Sequence, residues 1–150
     1  METIPDGSMS RSLRSLCIGN SEKLLRNPSL TLFDKLSHLS ISDLFDGVDC
    51  FPRKDFALLP PSLTSLELWK MSSLHTLECT GLLHLTSLQQ LTIGECPKLE
   101  NVAGERMPDS LINLQIFRCP LLKERFRMKH PKIWPKISHI KVIQVDYKWI

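Results

Sequence analysis

The chain has 150 residues, a formal net charge of +3 and a hydrophobic fraction of 42%. This length favours a single domain, and the composition is ordinary for a folded soluble protein, which argues against fibrous and low-complexity classes. Charge is unevenly distributed, since residues 1–120 hold 11 Lys/Arg against 14 Asp/Glu and residues 121–150 hold 8 against 2. We therefore expect an acidic body followed by a basic C-terminal segment.

The start of the chain has no apolar stretch of the kind that a secretory signal needs. No apolar run approaches the roughly 20 residues that span a bilayer. The five cysteines show no Cys-x-x-Cys spacing, which favours free thiols in a reducing setting. The sequence predicts a cytoplasmic protein with no membrane span.

A triplet of the form Leu-x-x-Leu-x-Leu/Ile recurs five times. The five begin at Leu13, Leu36, Leu63, Leu88 and Leu111, so their starts lie 23, 27, 25 and 23 residues apart. A period of roughly 20–29 residues with this core is typical of leucine-rich repeats. The second and third apolar residues of each triplet alternate with a variable one and so share one face of a short strand. We predict an α/β repeat solenoid: a leucine-rich-repeat horseshoe segment with a short-stranded parallel β-sheet on its concave face and mostly irregular convex segments.

Three parts follow from this pattern. Residues 1–11 are interpreted as the truncated end of a preceding repeat, because Ile4-Pro5-Asp6-Gly7 resembles Met107-Pro108-Asp109-Ser110. Residues 12–122 hold the five repeats. Residues 123–150 form a basic capping segment with a degenerate sixth strand at Ile137-x-x-Ile140-x-Val142, as solenoid ends require atypical units. The chain is expected to be a fragment of a longer protein or of a longer ancestral gene.

Two sets of residues suggest metal or disulfide chemistry, and both have a simpler interpretation. Cys96 and Cys119 occupy equivalent positions in adjacent repeats and could pair or bind metal, but buried reduced cysteine is favoured because cysteine prefers interiors. The acidic set invites a calcium site, but its spacing does not match an EF-hand loop. It comprises Asp43, Asp46, Asp49 and Asp55. A solvated loop is favoured.

Catalysis has little support in the sequence. The histidines are His38, His75, His84, His130 and His139, and none lies in a recognised nucleophile or metal motif. Solvated histidines are therefore favoured over a general base. We predict no catalytic residues, cofactor, metal or small-molecule substrate.

The positions that face outward from the predicted strands are the candidate binding site. They are mostly small and polar, and Trp69 and Phe117 stand out. Exposed aromatic rings at the centre of a binding surface are typical interface anchors. The alternative is that either ring folds against a neighbouring loop. The candidate protein-binding residues are His38, Ser40, Ser65, Glu67, Trp69, Gln90, Thr92, Asn113, Gln115 and Phe117.

A basic run follows the fifth repeat. Its candidate patch consists of Lys123, Arg125, Arg127, Lys129 and Lys132. Such a run can bind phosphate-rich partners, including nucleic acid or anionic lipid. Its alternation with Phe126, Met128 and Ile133 favours instead a capping segment with a solvated basic face, so nucleic acid is not the expected partner.

Two motifs carry a family resemblance. Cys-Pro-Leu-Leu-x-x-Arg at 119–125 and Trp-Pro-Lys-Ile-x-His-Ile at 134–140 resemble the C-terminal leucine-rich-repeat region of plant intracellular disease resistance proteins of the coiled-coil, nucleotide-binding class. The resemblance extends over nearly the whole chain from about residue 12. It implies a role in the defense response, with a pathogen effector, a guarded host protein or the receptor's own switch domain as partner.

The chain departs from the full architecture of that class. It has no Gly-x-x-x-x-Gly-Lys-Ser/Thr loop to cradle a nucleotide. The predicted function is therefore that of a non-catalytic interaction module without the nucleotide-binding switch. The alternative, a substrate-recognition repeat of a ubiquitin-ligase adaptor, would require an F-box-like helical segment that the sequence lacks.

Overall fold

The computed structural model describes residues 13–19, 33–42, 49–52 and 59–149. In this part of the chain a large mixed sheet holds seven strands. In spatial order these are β1 (Ser15–Gly19), β2 (His38–Ser42), β4 (Ser65–Trp69), β6 (Gln90–Gly94), β8 (Asn113–Phe117), β9 (Val142–Val145) and β10 (Lys148–Trp149). The first six run parallel, and β10 is antiparallel to β9. Residues 1–11 and the aspartates at 43, 46 and 55 lie outside the described residues.

Each leucine triplet places its second and third apolar residues in one of the strands β1, β2, β4, β6 and β8. The strands pair without offset, so that Leu91 lies between Leu66 and Leu114, and Ile93 between Leu68 and Ile116. Because alternate residues of a strand point to opposite faces, one face of the sheet carries only these apolar side chains. They are at most 6% exposed and belong to one continuous core. Burial of this face supplies the main driving force for stacking the strands.

The first leucine of four triplets is buried in a turn just before its strand, whereas Leu13 of the first triplet is partly buried. The backbone N–H of Leu63 donates to the carbonyl of Pro60, Leu88 to Leu85, and Leu111 to Pro108. This repeated turn brings the chain into strands β2, β4, β6 and β8 at the same height. Ser110 strengthens the last of these turns by donating from its hydroxyl to the carbonyl of Leu88 at 2.7 Å.

Three short strands lie in the segments that return from one large-sheet strand to the next. They are β3 (Cys50–Phe51), β5 (Thr76–Glu78) and β7 (Asn101–Ala103), which pair in parallel. A 3-10 helix, Cys79–Leu82, follows β5. Phe51, Leu77 and Val102 are buried in the same core as the triplet residues. The core is therefore covered by two layers, and the returning layer contains short strands that the leucine pattern did not predict.

The C-terminal segment contains helix α1 (Pro120–Arg127), helix α2 (Trp134–Ile137) and the β9–β10 hairpin. The predicted sixth triplet, Ile137-Ile140-Val142, is wrong by three residues. Ile143 pairs with Leu114 and Val145 with Ile116, so the inward residues of this unit are Ile140, Ile143 and Val145. Ile137 ends α2 instead, and Val142 points to the opposite face. No helix in the described part of the chain is long and apolar enough to cross a membrane.

Candidate protein-binding face

The face of the large sheet opposite the core is called here the outer face. It carries the third, fifth and seventh residues of each repeat, and in-register pairing arranges them in rows across the strands. All ten candidate residues lie on it. The first row contains His38, Ser65, Gln90 and Asn113; the second contains Ser40, Glu67, Thr92 and Gln115; the third contains Trp69 and Phe117 on either side of Gly94.

Nine of the ten candidates are half-buried, which leaves part of each side chain accessible. Thr92 is the exception at 4% exposed, so little of its side chain is accessible to a partner. Its short side chain lies between the longer side chains of Glu67 and Gln115 in the same row, and these flank it on both sides.

The Trp69 ring lies across Gly94 towards Phe117. A Cβ on residue 94 would overlap ring carbons of Trp69, so glycine at this position is what permits the ring to lie down on the sheet. The Trp69 and Phe117 rings are nearly parallel, with an interplanar angle of 3° and centroids 6.0 Å apart. Both rings are half-buried. Each of the two expectations is met in part, because both rings stay half-exposed on the sheet while Phe117 also packs against Tyr147 in a neighbouring turn.

The orientation of Trp69 is set by a hydrogen-bonded chain along the outer face. Its Nε1–H donates to Glu67 Oε1 at 2.8 Å, and Glu67 Oε2 lies 2.9 Å from His38 Nε2. Glu67 thus connects strand β2 to the aromatic ring on its own strand. In the next units Gln115 donates from Nε2 to Gln144 Oε1 at 3.0 Å.

Tyr147 extends the aromatic row, and the sequence did not identify it. Its ring contacts Phe117 at a centroid distance of 4.8 Å and a tilt of 47°, and the residue is 81% exposed. Tyr147 follows Asp146 in the two-residue turn between β9 and β10, and both have positive φ. The Asp-Tyr pair between two short apolar runs could have indicated a hairpin turn. It was missed because the sixth strand was predicted to end before it.

The three rings and three charged residues line a cleft of about 150 Å³, which is called here the aromatic cleft. It is formed by Trp69, Glu95, Phe117, Arg118, Asp146 and Tyr147. Arg118 Nη1 donates to Glu95 Oε1 at 2.9 Å, and its backbone N–H donates to Asp146 Oδ1 at the same distance. Lys123 Nζ lies 3.1 Å from Asp146 Oδ2. The hydrogen bond from the Arg118 backbone, followed by the one from Lys123, lowers the pKa of Asp146, so this carboxylate is ionised at neutral pH.

The basic run lies on α1 and the turn after it, and most of its charges have intramolecular partners. Lys123 pairs with Asp146, Arg125 Nη2 lies 3.7 Å from Glu100 Oε1, and Arg127 pairs with Glu124 at 3.1 Å. The Lys129 ammonium lies 5.3 Å from the centroid of the Trp134 ring. Lys132 is exposed. This arrangement suits a capping segment with a solvated basic face better than a concentrated anion site.

The histidines outside the outer face contact the scaffold. His75 pairs with Glu100 at 3.3 Å, and His84 and His139 each place Nε2 near a backbone carbonyl, of Leu59 and Pro108 respectively. In the described ranges, no three His, Cys, Asp or Glu side chains are placed to hold a metal ion.

The two cysteines that follow β6 and β8 are free and buried. The Cys96 thiol donates to the Gly94 carbonyl and the Cys119 thiol to the Phe117 carbonyl, each at 3.4 Å. The neighbouring Cys119 thiol, together with burial, raises the pKa of Cys96. Burial likewise raises the pKa of Cys79 to about 11. These thiols therefore pack under the turns as small apolar groups.

Two proteins of Arabidopsis thaliana are similar to this chain. One, named as a disease resistance protein, is 31% identical over 142 residues, which cover 93% of this chain and 10% of that protein. The other, named for variation in compound-triggered root growth response, is 32% identical over 122 residues, which cover 79% of this chain and 10% of that protein. The chain thus spans about a tenth of the length of these curated relatives. No family model and no solved structure matches it. In sequence, the chain is similar to a segment of a plant disease resistance protein.

Proposed function

We propose that the chain is a non-catalytic protein-interaction module, built as a segment of a leucine-rich-repeat solenoid, that recognises a partner through its outer face. In this proposal it acts in the cytoplasm in plant defense, as the effector-recognition and autoregulatory repeat region of an immune receptor. The partner is a pathogen effector, a guarded host protein or the receptor's own switch domain.

The observation that carries the proposal is the half-exposed aromatic pair on the outer face. Trp69 lies over Gly94 and parallel to Phe117, in the third row of an otherwise mostly small and polar surface. Buried or half-buried aromatic anchors surrounded by small polar contacts are the usual composition of a protein–protein hot spot. The Trp69 ring is held in place by the hydrogen bond to Glu67, which reduces the side-chain entropy that binding would otherwise remove.

The regular pairing of the strands supports a solenoid. Five triplet strands pair without offset along the chain, and the similarity to the disease resistance protein extends over nearly the whole chain. In such repeats the core residues specify the scaffold and the opposite face of the sheet is free to vary. Recognition therefore belongs to the outer face.

Site-specific photo-crosslinking tests the proposal. A photoreactive amino acid replaces Ser40 or Ser65 on the outer face in the full chain expressed in plant cells, and in a matched control it replaces Leu83, which is 45% exposed and follows the 3-10 helix. We expect Ser40 and Ser65 to give adducts with the same protein and Leu83 to give none.

The partner identified in this way is then purified and its affinity for the chain is measured by calorimetry. A Gln90→Arg substitution on β6, the central strand of the large sheet, should weaken binding about tenfold, as expected for an interface position with a partner close above it. Adducts that form equally from Leu83, or binding that Gln90→Arg leaves unchanged, would remove the outer face as the binding surface.

A further inference from the structure

We propose that the aromatic cleft receives one arginine side chain of the protein partner. The assignment rests on the proposed function and names the chemistry of one part of its binding face. It follows from the size of the cleft, the orientation of its rings and the hydrogen-bond acceptors that remain free within it.

The size of the cleft suits a single side chain. Its volume of about 150 Å³ gives room for one side chain rather than for a segment of backbone. Its walls are side chains from four different strand-turn units, so a partner reaches it by inserting one long side chain from above the sheet. An aromatic side chain from the partner would compete with the Tyr147 ring, which already occupies the space next to Phe117.

The rings offer flat, electron-rich surfaces to a planar cation. Trp69 and Phe117 are parallel to within 3°, and Tyr147 stands at 47° to Phe117 at the end of the row. A guanidinium group stacks on such faces and retains its in-plane N–H donors for carboxylates, whereas an ammonium group does not stack. The geometry therefore favours arginine over lysine.

The cleft offers free carboxylate oxygens beside the remaining N–H donors of Arg118. The Trp69 Nε1–H is already used by Glu67, which leaves the ring without a free donor. Arg118 contacts Glu95 through Oε1 alone, so Oε2 can accept from a second guanidinium. Each Asp146 oxygen has one donor and retains a further lone pair. An arginine from the partner would share these carboxylates with Arg118.

The backbone at Tyr147 is a second observation that points to the same place. Its φ of 68° lies in the left-handed region, where a two-residue hairpin turn ordinarily has glycine. A bulky side chain in this conformation is strained, and strained residues concentrate at binding sites. Here the unfavourable conformation directs a largely exposed ring to the end of the aromatic row.

Titration of the 15N-labelled full chain with the peptide acetyl-Gly-Gly-Arg-Gly-Gly-amide tests the proposal. The indole N–H signal of Trp69, assigned with Trp69→Phe, should shift saturably. A peptide with citrulline in place of arginine, which has the same shape without the charge, should bind at least about fivefold more weakly. A lysine peptide should bind about threefold more weakly than the arginine peptide. The absence of a saturable shift, or equal binding of the citrulline or lysine peptide, would overturn the assignment.

Substitutions separate the roles of the rings and the charges. Phe117→Leu keeps the apolar volume but removes the ring face, and should weaken arginine binding about fivefold. If the Phe117→Leu chain does not fold, Tyr147→Leu replaces it in the same test. Glu100→Gln removes a carboxylate that pairs with His75 and Arg125 outside the cleft, and should leave binding unchanged. Arg118→Gln should tighten binding about twofold, because it releases Glu95 from its internal partner. Weaker or unchanged binding to Arg118→Gln would contradict the proposal.

A failure of the arginine assignment is distinguishable from a failure of the proposed function. The photo-crosslinking positions, Ser40 and Ser65, and the Gln90 substitution all lie outside the cleft. If the partner still binds through these positions while the cleft does not respond to arginine, the outer face remains the binding surface and only the arginine assignment is lost.

Discussion

Trp69 lies flat on the sheet because of the residues next to it. Gly94 provides the space beneath the ring, Glu67 accepts its N–H, and Phe117 lies parallel beyond it. The type of residue at each position is visible in the sequence, and so is the fact that Trp69 and Phe117 face outward. That Gly94 separates them and supports the ring depends on the pairing of three strands, which are far apart along the chain. The accessibility of Thr92 could not be predicted for the same reason, since its two neighbours belong to other repeats.

Gly94→Ala should destabilise the chain by about 1–3 kcal/mol, because the new methyl group overlaps the Trp69 ring and forces it off the sheet. The matched control is Gly19→Ala at the equivalent position of β1, where a Cβ would meet only the Ser42 hydroxyl at 3.7 Å. That substitution should be neutral or stabilising by up to about 1 kcal/mol, because alanine loses less entropy than glycine in a strand. Urea unfolding measures both, and similar effects of the two substitutions would contradict the ring placement.

Tyr147→Gly should be more stable than Tyr147→Leu by about 1 kcal/mol, because only glycine adopts the left-handed backbone of this turn without strain. Both variants lose the ring contact with Phe117, so comparing them isolates the backbone contribution. Thermal unfolding of the two variants provides the measurement. If the leucine variant is at least as stable, then residue 147 does not hold the strained conformation described here.

Asp146 should make stability depend on pH in a defined direction. The pKa of Asp146 in the folded chain lies below the ordinary value of 3.8. Its contribution to the free energy of unfolding is therefore present above about pH 4 and is lost as the pH falls through the folded pKa. Asp146→Asn should therefore be less stable than the parent at pH 7, and the difference should shrink at about pH 3. Urea unfolding at the two pH values tests this, and a difference that is independent of pH would show that the ionised carboxylate contributes nothing.

At the level of elements, local alternation was enough to locate β1, β2, β4, β6 and β8, because the triplet itself determines which residues share a face. The sixth strand was misplaced because several apolar residues near its start satisfy the same spacing. Ile137, Ile140 and Val142 fit the pattern as well as Ile140, Ile143 and Val145 do. Pairing with β8 selects the second set, and the residues before it form α2.

Ile143→Ala and Val142→Ala distinguish the two registers. Ile143 is 4% exposed in the core, so its truncation should destabilise the chain by about 2–4 kcal/mol. Val142 lies half-buried on the outer face, and its truncation should cost less than about 1 kcal/mol. Denaturant unfolding of both variants measures the difference. A larger loss for Val142→Ala would restore the register predicted from the sequence.

At the scale of the whole molecule, stability comes from contacts between neighbouring units rather than from any one unit. The β9–β10 hairpin closes one end of the large sheet by pairing with β8 through the Val142 and Asp146 backbone N–H groups. It also provides Tyr147 and Asp146 to the aromatic cleft. One element therefore both terminates the sheet and completes the candidate site.

A chain that ends at residue 139 should self-associate, because β8 would become an unpaired edge with its apolar face partly uncovered. A control chain that ends at residue 146 keeps β9 on β8 and should behave like the full chain. Light scattering after size-exclusion chromatography gives the molar mass of each. A monomeric 139-residue chain would mean that β9 is not needed to protect that edge.

The sequence by itself determined the repeating unit, the inward and outward residues of five strands, and the presence of two aromatic residues on the outer face. These properties follow from the spacing of residues within about six positions, because alternate side chains of a strand point to opposite faces of the sheet. The tertiary structure decided the register of the sixth strand, the layer of short return strands, the burial of Thr92 and the aromatic cleft. Each of these depends on side chains that are more than 20 residues apart in the chain and meet only when successive units stack.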